Sequence, residues 1–237
     1  MRIERYGRLM VWVFDRPEQS NGIDAETMAA MEGALGVLEA SEAVSCLLVR
    51  GEGGVFSAGL DAELLETCFA DRARFAAAAQ RLARVNARLE AVPQITIACI
   101  EGICRLGGLE LALACDLVVA GDGAEISDGH LGFDAMPGGG GTCRLPVRLG
   151  YGGALRFLLT SPVLNAAEAR GLGLVDVDAS GGDAAAEARA LADLVTARDP
   201  GLMRDVKASL RAAAPAATNQ TYLQAFRRSV IDRLVPE

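Results

Sequence analysis

The chain has 237 residues, of which 51% are hydrophobic and 23% charged, with a net charge of -8. This describes a well-buried globular protein, most economically one domain spanning 1–237, and not a disordered chain. The acidic balance argues against nucleic acid or an anionic membrane as main partner, because both require a basic surface. Lys207 is the only lysine, which removes Walker-type phosphate loops and any Schiff-base mechanism not using that residue.

In chain order, Leu9 to Phe14 is an apolar run that reads as a strand ending at Asp15-Arg16-Pro17. A helix follows with Asp24 as N-cap and with Met28, Met31, Leu35 and Leu38 on one face. Val44 to Arg50 is a second strand, and residues 71 to 91 form a long amphipathic helix with Phe75, Ala78, Leu82, Val85 and Leu89 as its stripe. Gln94 to Ile100 reads as a buried strand, Glu101-Gly102 as a turn, Gly107 to Cys115 as an apolar helix and Asp116 to Ala120 as another strand. Beyond residue 141 the pattern turns helical: 141 to 149, 153 to 160, a helix after Asn165, an Ala-rich helix from Asp183 to about Ala197, and two more up to Leu234. Strands alternating with helices indicate an α/β core.

Six cysteines include no Cys-x-x-Cys pair, and four lie in apolar segments, as expected for buried free thiols in a reducing compartment. With one histidine and no paired cysteines, no metal site is expected. The charged start Met1-Arg2-Ile3-Glu4-Arg5 does not read as a signal peptide, and no apolar stretch reaches the roughly 18 residues of a membrane span. A cytoplasmic protein is the expectation.

Three segments carry chemistry. In Arg105-Leu106-Gly107-Gly108-Leu109-Glu110, the Gly107 amide would point out of a helix N-terminus, where unpaired N–H groups favour an anion. Glu110 is the one charged group of that helix. It is either a dipole or capping partner of the first turn or, if buried among leucines, a carboxyl of raised pKa fit for acid-base work. Phe56-Ser57-Ala58-Gly59-Leu60-Asp61 offers small residues beside which a ligand could approach the backbone. Val55 stands where a nucleophile elbow needs glycine, so a serine hydrolase is disfavoured. The dinucleotide fingerprint also fails, because no Gly-x-Gly-x-x-Gly follows the first strand. His130, the single histidine, sits between Gly129 and the run Met136-Pro137-Gly138-Gly139-Gly140-Gly141-Thr142. A lone loop histidine is either solvated or structural, or else a proton carrier, its unperturbed pKa of roughly 6.5 lying near neutral pH.

The order of these segments resembles the crotonase family of enoyl-CoA hydratases and isomerases. It runs through Phe56 to Asp61, Gly107 to Ala112 with Cys115-Asp116, and Met136 to Leu145, and Ala167 to Val175 looks like the family's following helix and strand. The resemblance spans about residues 8 to 210. It implies an α/β fold with a ββα superhelix core over 1–178 and a C-terminal helical region over 179–237 that assembles homotrimers or dimers of trimers. It also implies an acyl-CoA substrate, with coenzyme A as part of that substrate and no separate cofactor.

By the same resemblance the oxyanion hole falls on the amides of Leu60 and Gly107. Ligand contacts are expected from Ser57, Ala58, Asp61 and Gly108, and Lys207 fits the family's basic residue near the CoA, although a solvated helix lysine is the alternative. Glu110 matches the first catalytic glutamate of the hydratases. The position of their second glutamate, counted back from Pro137-Gly138, is His130 here, with Asp128 or Asp134 to orient the ring. That departure leaves hydration, double-bond isomerisation and cleavage or decarboxylation of a β-keto group open, besides a non-catalytic acyl-CoA-binding role. Relatives continue beyond the helix containing Tyr222, Phe226, Val230 and Leu234, so the acyl pocket or trimer edge is expected to differ.

Overall fold

A computed structural model describes residues 1–69 and 71–213. The expected helix through Tyr222 and Leu234 lies outside the described residues. The chain begins with a hairpin, β1 (Arg2–Tyr6) and β2 (Leu9–Phe14), and continues through α1 (Ala25–Ala40), β3 (Cys46–Gly51), β4 (Val55–Ser57), α2 (Ala62–Phe69) and α3 (Arg72–Ala91). Then come β5 (Ile95–Ile100), β6 (Ile103–Arg105), α4 (Gly107–Leu113), β7 (Leu117–Ala120), β8 (Glu125–Ser127) and a 3-10 turn at His130–Phe133. The rest is α5 (Gly141–Thr160), α6 (Ala166–Leu172), β9 (Val177–Asp178), α7 (Ala184–Thr196) and α8 (Pro200–Ala213).

Two sheets organise these elements. The larger runs β1-β2-β3-β5-β7-β9, and the smaller runs β4-β6-β8. Among the described strands, β1 and β2 pair antiparallel and the other ladders are parallel. Each of the pairs β3–β4, β5–β6 and β7–β8 gives one strand to the large sheet and the next to the small one before a helix returns the chain. The result is a spiral of ββα turns, and the C-terminal ends of the small sheet's strands converge on one place.

Six consecutive buried residues make β2 a strand covered on both faces, the expected pattern for parallel sheets. Met10, Trp12 and Phe14 join the main core with α1, α3 and α4, while Leu9, Val11 and Val13 pack with Cys46, Ile97, Cys99 and the Ala184, Ala188 and Ala192 face of α7. Asp24 caps α1 by accepting from the Thr27 amide at 2.7 Å, and the stripe Met28, Met31, Leu35 and Leu38 is buried.

The long elements match the sequence reading to within one or two residues: the second strand starts at Cys46 and not Val44, and α4 ends at Leu113 and not Cys115. Gly150, at φ 69° and ψ 165°, breaks α5 between its two expected helices. The strands β1, β4, β6 and β8 and the helix α2 are not predicted from the sequence pattern, and the strand that the resemblance puts at the end of Ala167 to Val175 falls slightly later, as β9. β4, β6 and β8 have three residues each, too few to show a period, and β1 is exposed along nearly its whole length. Cys46, Cys99, Cys104 and Cys115 are buried free thiols. Among the described residues no helix is long and apolar enough to cross a membrane.

Candidate active site

The small sheet places the site. β4 ends at Ser57, β6 at Arg105 and β8 at Ser127, so the segments that follow them, Ala58–Asp61, Leu106–Glu110 and Asp128–His130, emerge side by side. The Leu106 amide donates to the Asp128 carbonyl at 3.0 Å, extending the β6–β8 ladder by one bond and fixing His130 over the start of α4.

Two backbone amides meet at this point. Leu60 bridges Ile23 in parallel fashion, and the bonds use the Gly59 carbonyl (2.8 Å) and the Asp61 amide (3.2 Å), so Leu60's own N–H points to the other side. Gly107 is the first residue of α4, where an amide has no intrahelical partner. Among the described residues neither amide finds a protein acceptor. Their segments touch closely: a Cβ built on Gly59, itself at φ +92°, would stand 2.6 Å from the Gly107 nitrogen. Leu106, at φ 49° and ψ -126°, holds a conformation rare for a non-glycine residue, a strain on the order of 1–3 kcal/mol that persists where surroundings enforce it.

Glu110 is 2% exposed. Its carboxylate accepts from the Gly139 amide through Oε2 and from the Gly141 amide through Oε1, both at 2.8 Å. Burial raises its pKa above the ordinary carboxylate value, against the opposing pull of His130 and the two amides. A Cβ at Gly139 would stand 2.5 Å from Glu110 Oε2, so a larger residue there would displace the carboxylate. The plain glycine run is thus a cradle for the carboxylate as well as a turn before α5.

His130 completes the group. Its Nδ1 lies 3.0 Å from Asp128 Oδ2, and its Nε2 faces Glu110 Oε2 across 3.9 Å. Asp128 also accepts the His130 backbone amide at 3.0 Å. Burial works against the imidazolium, but the hydrogen bond to Asp128 and the charges of Glu110 and Asp128 outweigh it, so the pKa is raised. Asp134, the other residue expected to orient the ring, lies exposed at the end of the 3-10 turn with its amide on the Leu131 carbonyl.

The remaining expected ligand contacts are engaged within the protein. Ser57 Oγ donates to the Asn21 carbonyl at 2.9 Å and accepts from the Gly59 amide at 3.1 Å. The Ala58 amide donates to the Ser20 carbonyl at 3.0 Å. Asp61 accepts from the Glu63 and Leu64 amides in the first turn of α2 and faces Arg16 at 3.4 Å. Gly108 lets α4 pack on β4, since a Cβ there would stand 2.1 Å from the Ser57 carbonyl oxygen. Lys207 is buried, with Nζ donating to the Gln94 carbonyl at 2.7 Å and to Asp116 at 2.6 Å. A role at a ligand would require it to leave that pair.

Three further residues support the site and were missed from sequence. Asn86 and Arg144 both donate to the Gly139 carbonyl, at 3.0 and 2.9 Å, and Glu90 holds the Arg144 guanidinium. Asn86 had a signal, lying four residues after Leu82 and three before Leu89 on the apolar stripe of α3. Arg144 and Glu90 had none.

A ββα spiral carrying a buried carboxylate, a carboxylate-held imidazole and two unpaired amides defines an α/β protein with a candidate acid-base site. The family described as enoyl-CoA hydratase/isomerase matches residues 4–232. A crotonyl-CoA hydratase of Syntrophomonas wolfei is 34% identical over 176 residues, covering 73% of this chain and 66% of that protein. The mitochondrial enoyl-CoA hydratase domain-containing protein 2 of Bos taurus is 35% identical over 203 residues, covering 84% and 68%. Among solved structures, Pseudomonas aeruginosa DspI superposes with a TM-score of 0.84 at 29% identity, over 98% of this chain and 94% of that one. The chain belongs to the enoyl-CoA hydratase/isomerase family, within the crotonase superfamily, and is a hydratase/isomerase-like enzyme.

Proposed function

We propose that the protein is an enoyl-CoA hydratase-type lyase that stabilises a thioester enolate. The observation that carries this reading is the pairing of His130 Nε2 with Glu110 Oε2 at 3.9 Å beside the free Leu60 and Gly107 amides. In the reaction, those amides donate to the thioester oxygen as it gains enolate charge, each donor contributing about 3–4 kcal/mol to the transition state. The Glu110 carboxylate takes a proton from water as its oxygen bonds to the β-carbon, and the His130 imidazolium gives a proton to the α-carbon. The site is left with protonated Glu110 and neutral His130. Transfer of one proton from carboxyl to imidazole restores it.

Asp128 supports this assignment of roles. Accepting from Nδ1, it fixes the tautomer so that Nε2 is the reacting nitrogen, and its charge favours the imidazolium. Held carboxylates on both sides make His130 an acid more readily than a base. Isomerisation is the second reading: a neutral His130 removing a γ proton would shift a 3-enoyl double bond without water, and an imidazole in place of the second glutamate that the family resemblance implies is compatible with it.

We assign the substrate as an acyl-CoA ester, consistent with the family and with the names of its relatives. Self-association is part of the proposal: Tyr151, Leu155 and Leu159 form an exposed apolar line at four-residue spacing on the part of α5 after Gly150, and Leu202, Val206 and Leu210 form another on α8. A panel of enoyl-, 3-enoyl- and β-ketoacyl-CoA esters tests the activity. Rapid loss of enoyl-thioester absorbance is the result expected, and turnover confined to a 3-enoyl or β-ketoacyl ester is the result that excludes hydration.

A further inference from the structure

We propose that Arg144 is a positioning residue for Glu110, acting through the Gly139 carbonyl; this deepens, and rests on, the reading of Glu110 as a proton-handling group. The Arg144 side chain is 8% exposed in the first turn of α5. Nη1 donates to the Gly139 carbonyl at 2.9 Å, while Nε and Nη2 both donate to Glu90 Oε2, at 3.0 and 2.7 Å. Asn86 Nδ2 donates to the same carbonyl at 3.0 Å. One carbonyl is therefore held by two donors from two helices, α3 and α5.

The consequence reaches the carboxylate through one residue. Gly139 is gripped at its carbonyl, and its amide donates to Glu110 Oε2 at 2.8 Å. A glycine run left untethered would lose more conformational freedom than any other residue type on holding that amide in place. The guanidinium and Asn86 remove that freedom. Gly140 leaves room for the grip, since a Cβ there would stand 2.0 Å from Arg144 Nη1. Glu90 neutralises the guanidinium, so the link to Glu110 is geometric: fixed N–H donors favour the charged carboxylate against the burial that disfavours it.

The test follows Glu110 directly. In protein carrying 13C-labelled glutamate side chains, the Glu110 carboxyl signal, identified by its loss in Glu110→Gln, is titrated in wild type, Arg144→Met and Arg144→Lys alongside kcat and KM on crotonyl-CoA. The Glu110 midpoint is expected to rise in Arg144→Met, with kcat falling about 10- to 100-fold and KM staying within about twofold. Arg144→Lys is expected to recover part of both. Should Arg144→Met not fold, Glu90→Gln loosens the guanidinium from outside and is expected to move the midpoint the same way by less. An unmoved midpoint in the folded variants overturns the positioning role. The carboxyl titration needs no substrate, so a shifted midpoint in an enzyme inert to crotonyl-CoA would count against hydration and not against Arg144.

Discussion

His130 faces Glu110 across 3.9 Å, with the far side of its ring held at 3.0 Å by Asp128. The sequence places these three groups at 110, 128 and 130, and the β6–β8 ladder brings them into a line in which the imidazole lies between two carboxylates. Replacing Asp128 by Asn removes a charge and the fixed acceptor for Nδ1–H while keeping the shape. We expect kcat to fall about 10- to 100-fold, and the pH limb assigned to His130 to move downward, because the charge that raised its pKa is gone. The pH dependence of kcat/KM measures both, and a profile superposing on wild type would remove Asp128 from the mechanism.

The Gly59 contact tests the pair of amides. Gly59→Ala forces an alanine into φ +92° with its Cβ 2.6 Å from the Gly107 nitrogen. The fold is expected to lose about 1–3 kcal/mol, read by urea denaturation. Displacing one oxyanion donor is expected to lower kcat a further ~10²- to 10³-fold. A variant as active as wild type would show that this amide does no electrostatic work.

Lys207 separates a structural from a ligand-binding role. Removing one partner of a buried ion pair costs about 3–5 kcal/mol. The loss for Lys207→Met should fall at or below the low end, because Asp116 keeps Arg211 at 3.0 Å and both Thr96 donors. We expect a lowered Tm with KM for a CoA ester unchanged. A KM raised tenfold at unchanged Tm would instead place Lys207 on the CoA.

Stability should carry the signature of His130. Its folded pKa is raised, so its contribution is complete below the unfolded value of roughly 6.5 and is lost as pH rises through the folded value. Glu110, also raised, acts in the same direction, favouring the fold when protonated. The stability gap between wild type and His130→Gln should therefore be wider at pH 6 than at pH 9, and a gap independent of pH would contradict the charged Asp128–His130–Glu110 line.

α1, α3 and the strands β2 and β5 were readable because a continuous stripe or apolar run encodes them. The three-residue strands of the small sheet carry no such code, although they bring the site together. Glu110 and the Gly107 amide could be singled out locally, as a lone charge in an apolar helix and an orphan donor at its start. The Leu60 amide could not, since its freedom arises from pairing with Ile23, and only the family resemblance pointed to it. Asn86 shows the intermediate case: a polar residue on an apolar stripe is a visible anomaly whose partner, the Gly139 carbonyl, is known only after folding.

Hydration by Glu110 and His130 can be followed by mixing the enzyme with crotonyl-CoA in H₂¹⁸O and recording absorbance and mass together, in wild type, Glu110→Gln and His130→Gln. Loss of the enoyl-thioester absorbance is expected, with one solvent oxygen incorporated at the β-carbon, slowed about 10²- to 10⁴-fold in each variant. Unchanged crotonyl-CoA in the wild type, alongside oxygen-free conversion of a 3-enoyl-CoA, would contradict hydration.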